Sequence, residues 1–245
     1  FLHRRQRRAI GQQPGPARRI SPRRAVRRNP AARPADSGSQ SMDLHREGLA
    51  WRILDGQLLF LDVSNDRYFR LSDDENRRCL EKLGRYPEKQ WHQPSSLARP
   101  ADWTVPEQSS PAIAEHTFSL PAVARALWMQ RRVEARLAKH SLALVLSQLR
   151  SVVESRSESQ FEIREKGRRC IGAFEDARLL RTAADRCLSR SIALATCLAA
   201  YGDRARIVIG VHTPPFAAHC WTQHRDTVLN DSVEEVLRYE PILVV

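Results

Sequence analysis

The chain has 245 residues, 42% of them hydrophobic, enough for one large domain or two small ones with real cores. Its formal charge of +12 points first to nucleic acid, but residues 1–41 hold eleven Arg and one Asp, 11 − 1 = +10, leaving 12 − 10 = +2 for the other 204, so no basic face is required of the folded part. Five cysteines without a CxxC pair exclude a zinc knuckle or disulfide framework, and the lack of an 18-residue apolar run or apolar signal core excludes a membrane partner and predicts a cytoplasmic protein.

Residues 1–41 carry Pro14, Pro16, Pro22, Pro30 and Pro34 and few apolar side chains, a composition that cannot bury enough surface to fold. A disordered tail is expected there. The first methionine is Met42, and 36 Arg against Lys82, Lys89, Lys139 and Lys166 is the bias of a GC-rich genome. Met42 is therefore the expected native start, with the preceding residues read in frame from upstream DNA. The competing reading is a basic arm for nucleic acid or an acidic partner.

From Leu49 the pattern changes. Residues 50–54, 58–63 and 67–71 read as three short strands joined by Asp55-Gly56 and Ser64-Asn65-Asp66, both turn-formers. Ser72 followed by Asp73-Asp74-Glu75 marks a helix N-terminus, with Gly84 as the expected C-cap. Residues 87–118 are rich in Pro and Ser yet contain Trp91, Trp103 and Phe118, so part of this stretch should pack on the fold. Ser119-Leu120-Pro121 opens a helix, and the apolar spacing from Val123 to Leu149 suits two consecutive helices or one broken one. Residues 151–168 are polar and read as a loop. Asp185 to Ala200 is helical, with Gly202 as its stop; strands follow at 205–211, 217–223 and 227–231, separated by Thr213-Pro214-Pro215 and His224-Arg225-Asp226.

The chemistry-bearing residues lie in this last part. If Thr182 or Asp185 caps the helix, Cys187 falls in its first turn, where unpaired N–H groups and the helix dipole favour thiolate, helped by Arg186 and Arg190. His219, one strand on, can take the thiol proton, and Asp231 can hold the imidazole and stabilise its charged form. The expected roles are Cys187 nucleophile, His219 base then acid, and Asp231 orienter, with Trp221 shielding the pair. His212 competes for the base, and Asp226 and Asn230 for the third role. Cys197 reads as core, Cys220 points away from His219, and Cys79 and Cys170 have no visible partner. Each residue taken singly also has a purely structural explanation; the joint order of the three is what favours chemistry.

The segments Cys187-Leu-Ser-Arg-Ser-Ile-Ala-Leu, Ala205-Arg-Ile-Val-Ile-Gly-Val, Pro215-Phe-Ala-Ala-His219-Cys-Trp221 and Val228-Leu-Asn-Asp231 resemble the B protein of lasso peptide biosynthesis over residues 120–245. That family usually has Ala between the His and Trp, where this chain has Cys220. The meander at 49–84, with Leu61-Asp62 and Tyr68-Phe69-Arg70-Leu71, is similar to the RiPP recognition element, which takes up a leader peptide as an added strand. The alternative is that these strands merely pack on the enzyme.

The resemblance implies an α+β chain in two parts. Residues 42–110 would form a winged-helix-like leader-binding domain of three strands and a helix, with two further helices expected. Residues 111–245 would form a transglutaminase-like cysteine peptidase domain with a Cys187-His219-Asp231 triad. It implies as partners a precursor peptide and an asparagine-synthetase-like cyclase. ATP dependence is likewise implied by resemblance only, since the chain has neither GxxxxGK[ST] nor GxGxxG and no metal site is expected. A transglutaminase-like acyltransferase and a non-catalytic precursor-binding scaffold are the alternatives.

Overall fold

The computed structural model describes Leu44 and residues 46–85, 103–155, 162–181 and 186–245. The tail, Met42, Trp91 and the two expected caps Thr182 and Asp185 lie outside the described residues.

Strands β1 (Leu49–Leu54), β2 (Gln57–Asp62) and β3 (Arg67–Arg70) form an antiparallel meander in that order. Asp55 and Gly56 have φ of 48° and 74°, the left-handed pair that a two-residue hairpin loop demands. Helix α1 (Asp73–Arg85) opens on a capping box: Glu75 N–H donates to Ser72 Oγ at 3.4 Å, and Ser72 N–H donates back to the Glu75 carboxylate at 3.1 Å. Asn76 ties the helix to the hairpin, accepting from Leu58 N–H at 2.8 Å and donating to Gly56 O at 2.9 Å. Gly84 lies inside α1 rather than capping it, because its backbone does not take the left-handed turn that such a cap uses. Three strands and one helix of this unit are described; residues 86–102, which follow α1 and where further helices were expected, lie outside the described residues.

Alternation gives this sheet two buried faces. Leu49, Trp51, Leu58 and Phe60 pack with Cys79 on the α1 side. Ala50, Leu59, Leu61 and Val63 face the other way and belong to the same core as Ile192, Leu194 and Leu198 of the C-terminal half. Division of the chain at residue 110 is therefore not a break in the core. Strand β4 (Gln108–Ser109) already belongs to the second sheet, and Trp103 packs beneath it against the cluster of Val208, Trp221 and Val228.

The second sheet has the order β4-β7-β6-β5-β8, built from β5 (Arg206–His212), β6 (Ala217–His224), β7 (Thr227–Val228) and β8 (Glu240–Val244). All neighbours are antiparallel except β4 and β7. A 3-10 turn (Pro111–Ile113) leads to α2 (Leu120–Lys139) and α3 (Leu142–Glu154), split where Ser141 Oγ accepts from Leu144 N–H. Ser119 stands at the α2 N-cap as expected, without a side-chain bond.

The expected polar loop at 151–168 is shorter than the sequence suggests, since α3 runs to Glu154 and α4 spans Glu165–Leu180. α4 packs through small residues: a Cβ on Gly172 would lie 2.4 Å from the His116 ring, which leaves little hydrophobic periodicity to read. Helix α5 (Cys187–Ala200) is followed by Gly202 at φ 86°, the expected stop. A short α6 (Val233–Val236) and β8 follow β7, neither foreseen. No helix among the described residues is long and apolar enough to cross a membrane.

Candidate active site

Helix α5 is surrounded by α2, α3, α4 and β6, and residues 189–195 are buried without a break. Its apolar, small-residue sequence suits that central place. Cys187 is its first residue and is half-buried; the N-cap is Arg186, whose side chain makes no capping bond. The first-turn N–H groups and the positive end of the dipole therefore stand beside the thiol.

Strand β6 brings His219 close enough to that sulfur for each group to shift the other's ionisation. His219 Nε2 meets Asp231 Oδ2 at 2.9 Å, which leaves Nδ1 for the sulfur. Asp231 is not on a strand, as the sequence suggested. β7 stops at Val228 because the Asn230 side chain replaces the next ladder partner, its Oδ1 accepting from Thr222 N–H at 2.8 Å. Asp231 thus sits in the bend beyond β7, where Ser232 N–H donates to Oδ1 at 2.9 Å and Arg190 Nη2 lies 3.6 Å from Oδ2.

Electrostatics at the three groups agree in sense. Burial by itself pushes the Cys187 thiol up, but the His219 bond and charge, the Cys220 backbone N–H and Arg190 outweigh it and hold the thiol below its ordinary value. Burial likewise works against a charged His219, yet its bonds to Asp231 and Cys187 push it up to about 9. Burial raises the Asp231 carboxyl, and His219, Ser232 N–H and Arg190 bring it below the usual carboxylate range. The favoured state is a thiolate beside an imidazolium beside a carboxylate, a set whose protons are shared and titrate together.

Buried polar groups link the three elements. Ser191 Oγ donates to Cys220 O at 2.9 Å and accepts from Asn230 Nδ2 at 3.0 Å. Thr222 Oγ1 donates to Ser191 O at 3.2 Å, and Arg190 Nη2 donates to Asn230 O at 3.1 Å. Rings close the other side: Trp221 lies 6.2 Å and Tyr239 5.2 Å from His219, centroid to centroid.

The competing residues lie elsewhere. His212 bonds Pro215 O and borders Tyr239. Asp226 bonds Thr227 at the surface turn, and Asn230 is a buried structural link. Arg186 approaches Glu134, whereas Arg190 lies beside Asp231. Cys220 is buried, and its backbone N–H is one of the groups that lower the Cys187 thiol. Cys170 does have a neighbour, Cys197, with the sulfurs 2.8 Å apart. Sequence reasoning missed Ser191 and Tyr239. A serine one turn after Cys187 was a usable signal; Tyr239 offered none while β8 was unread. Among the described residues no group of three or more His, Cys, Asp or Glu could hold a metal ion.

A nucleophile at a helix tip, a base on a strand and an acid behind it can carry out acyl transfer to sulfur. The family model of the transglutaminase-like superfamily matches residues 122–244. The chain belongs to that superfamily. Its fold serves cysteine peptidases and acyltransferases, and the match covers α2 through β8 while leaving the N-terminal meander outside. No curated protein and no solved structure matches the chain. Within the transglutaminase-like part lie all three residues singled out from the sequence.

Proposed function

We propose that the chain is the leader peptidase of a lasso peptide pathway, binding the leader of a ribosomally made precursor and cutting it from the core peptide. Cys187 thiolate attacks the scissile carbonyl carbon, forming a C–S bond. His219 imidazolium gives its proton to the departing amine as the C–N bond breaks. Water then attacks the thioester, His219 takes a proton from it, and the thiolate leaves. Asp231 keeps the imidazole oriented and stabilises its charge, and Cys187 N–H is the backbone donor available to the oxyanion.

The observation that carries this reading is the gathering of Cys187, at the start of α5, with His219 and Asp231, the last two 2.9 Å apart. Specificity for a leader peptide draws on β3, which pairs only with β2 among the described residues and offers an edge to an incoming strand. The asparagine-synthetase-like cyclase and any ATP dependence belong to the reading through resemblance, with ATP acting through the partner.

The test incubates the full chain with a short precursor peptide of the lasso type, taken from among the products of neighbouring genes, and follows it by mass analysis. Wild type should release the leader by hydrolysis, and Cys187→Ala should bind the peptide without cutting it. Cleavage undiminished in that variant, or none by wild type, defeats the reading. Incorporation of an added primary amine in place of water would show the acyltransferase instead.

A further inference from the structure

Two thiols outside the candidate active site face each other. Cys170 of α4 and Cys197 of α5 have their sulfurs 2.8 Å apart, with Cys170 S–H donating to Cys197. Cys197 lies about 15 Å along α5 from Cys187 at 1.5 Å per residue, so the pair is separate from the Cys187–His219–Asp231 group. Both cysteines line a cavity of about 320 Å³ walled by α2, α4 and α5. Three exposed cations, Arg125 of α2 and Lys166 and Arg169 of α4, share that lining, so the cavity joins the sulfurs to solvent. Glu165 meets Arg169 at 3.0 Å, whereas Arg125 lies over the Tyr201 ring, 5.4 Å from its centroid. The bond from Cys170, helped by Arg125 and Tyr201, outweighs burial and holds the Cys197 thiol below its ordinary value. The same bond and burial push Cys170 up, so it keeps its proton. One sulfur is thus suited to attack and its neighbour to resolve the product, which an isolated buried cysteine is not.

We propose that Cys170 and Cys197 form an oxidative modification site, a dithiol that a small hydroperoxide converts to a disulfide joining α4 to α5. The Cys197 thiolate attacks the peroxide: an S–O bond forms, the O–O bond breaks, and the departing oxyanion takes up the proton that Cys197 released. Cys170 then attacks the sulfenic sulfur of Cys197. An S–S bond forms, the S–O bond breaks, and hydroxide leaves with the Cys170 proton as water. The two thiols lose two electrons to the peroxide, whose oxygens end in water, or in water and an alcohol. The bond ties α4 to the helix that carries Cys187 and restrains the unfolded chain. None of this depends on what Cys187 does.

The test uses the full-length chain with Cys187→Ala, which removes the thiol that would compete for oxidant. The folded protein is treated with hydrogen peroxide, quenched with catalase, denatured in iodoacetamide and mapped by mass spectrometry after digestion. A peptide pair joined through Cys170 and Cys197 should appear, with loss of two hydrogen atoms from the intact mass, and dithiothreitol should restore alkylation of both. The linked form should melt about 5 °C higher than the reduced one. In the same background Cys170→Ala removes the resolving thiol, so Cys197 should accumulate as a sulfenic acid that dimedone traps. Full alkylation of both cysteines after peroxide overturns the proposal, as does oxidation at Cys79 or Cys220 in their place. Equal linkage when peroxide is added to the urea-unfolded chain overturns it too, since the native contact would then play no part. Linkage that leaves the melting temperature unchanged removes the tie between α4 and α5, and no dimedone adduct at Cys197 in Cys170→Ala removes the order of attack.

Discussion

Replacing Asp231 by Asn isolates the charge behind His219 from its shape. The amide can still hold Nε2–H, so the imidazole stays oriented, but it cannot stabilise imidazolium. His219 stands at about 9 against an ordinary 6.5, a rise equivalent to about 3 kcal/mol in favour of the charged ring at about 1.4 kcal/mol per pH unit. Among the interactions that oppose burial, the Asp231 bond comes first and that of Cys187 next. Assigning about half of the rise to the carboxylate gives about 1.5 kcal/mol, a tenfold change in the ion-pair population. Arg190, 3.6 Å from Asp231, is left uncompensated in the variant; it further disfavours imidazolium but continues to favour the thiolate, so the effect on sulfur should not greatly exceed tenfold. The assay is the pH dependence of Cys187 alkylation by iodoacetamide. Wild type should react at a nearly constant rate through neutrality, as a thiolate held below the ordinary thiol value of about 8.5. Asp231→Asn should be about tenfold slower near pH 6 and converge on wild type in alkali. Coincident profiles would refute the electrostatic argument. A uniform slowing that persists in alkali would also refute it, because lost geometry rather than lost charge would then be responsible.

The same two charges give a stability window. Asp231 lies below its ordinary value, so its contribution is present above about 3.9 and is lost as pH falls through its folded value; His219 lies above its own, so its contribution is complete below about 6.5 and is lost as pH rises through about 9. Urea titrations should find the gap between wild type and Asp231→Asn widest between about pH 4 and 6.5. Ser191→Ala strands Asn230 Nδ2 and Cys220 O in the core, which should cost about 1–3 kcal/mol and lower the melting temperature by about 2–4 °C per kcal/mol; no shift would contradict the network. Gly210→Ala would put a Cβ 2.7 Å from Trp221 and 2.8 Å from Tyr239 Cβ, so calorimetry should register about 1–3 kcal/mol of lost stability, accompanied by slower alkylation because both rings flank His219. A fragment beginning at residue 103 loses Leu59, Leu61 and Val63 from the shared core and should bind a hydrophobic dye and melt earlier than the full chain; equal stability would mean that the two parts fold independently.

Local chemistry decided what could be read beforehand. The meander was legible because Asp55-Gly56 and Asp66 are residues that accept positive φ, and they adopt it. Cys187, His219 and Asp231 stood out because few residue types suit such chemistry, and the structure brings the three together. α4 was not, since its buried face consists largely of Gly167, Cys170, Gly172, Ala173 and Ala177, whose smallness serves close helix packing and gives no strong periodic signal. Asp231 was placed on a strand because Val228-Leu229 continues the β pattern. What stops the ladder is a side-chain substitution by Asn230 that only the tertiary arrangement brings about. The core shared by the two parts was hidden for a related reason: alternation shows that a strand has two faces, but not that both Phe60 and Leu61 will be covered, one on the α1 side and the other by the core of the transglutaminase-like part.

The acid of the site illustrates how that core serves chemistry. Asp231 follows the end of β7 and so lacks strand pairing to hold it. Its position is set by Asn230, gripped from α5 by Ser191 and Arg190 and from β6 by Thr222. Ser191 is one turn beyond Cys187, on the same helix face. The helix that activates the sulfur is thus also the template for the carboxylate, with the imidazole held between two groups that share one support. A shift of α5 would displace nucleophile and acid together relative to His219, which β6 carries. Mutations that loosen the grip on Asn230 should instead move Asp231 alone, and the pH profile of Cys187 alkylation should then change in the sense expected for Asp231→Asn.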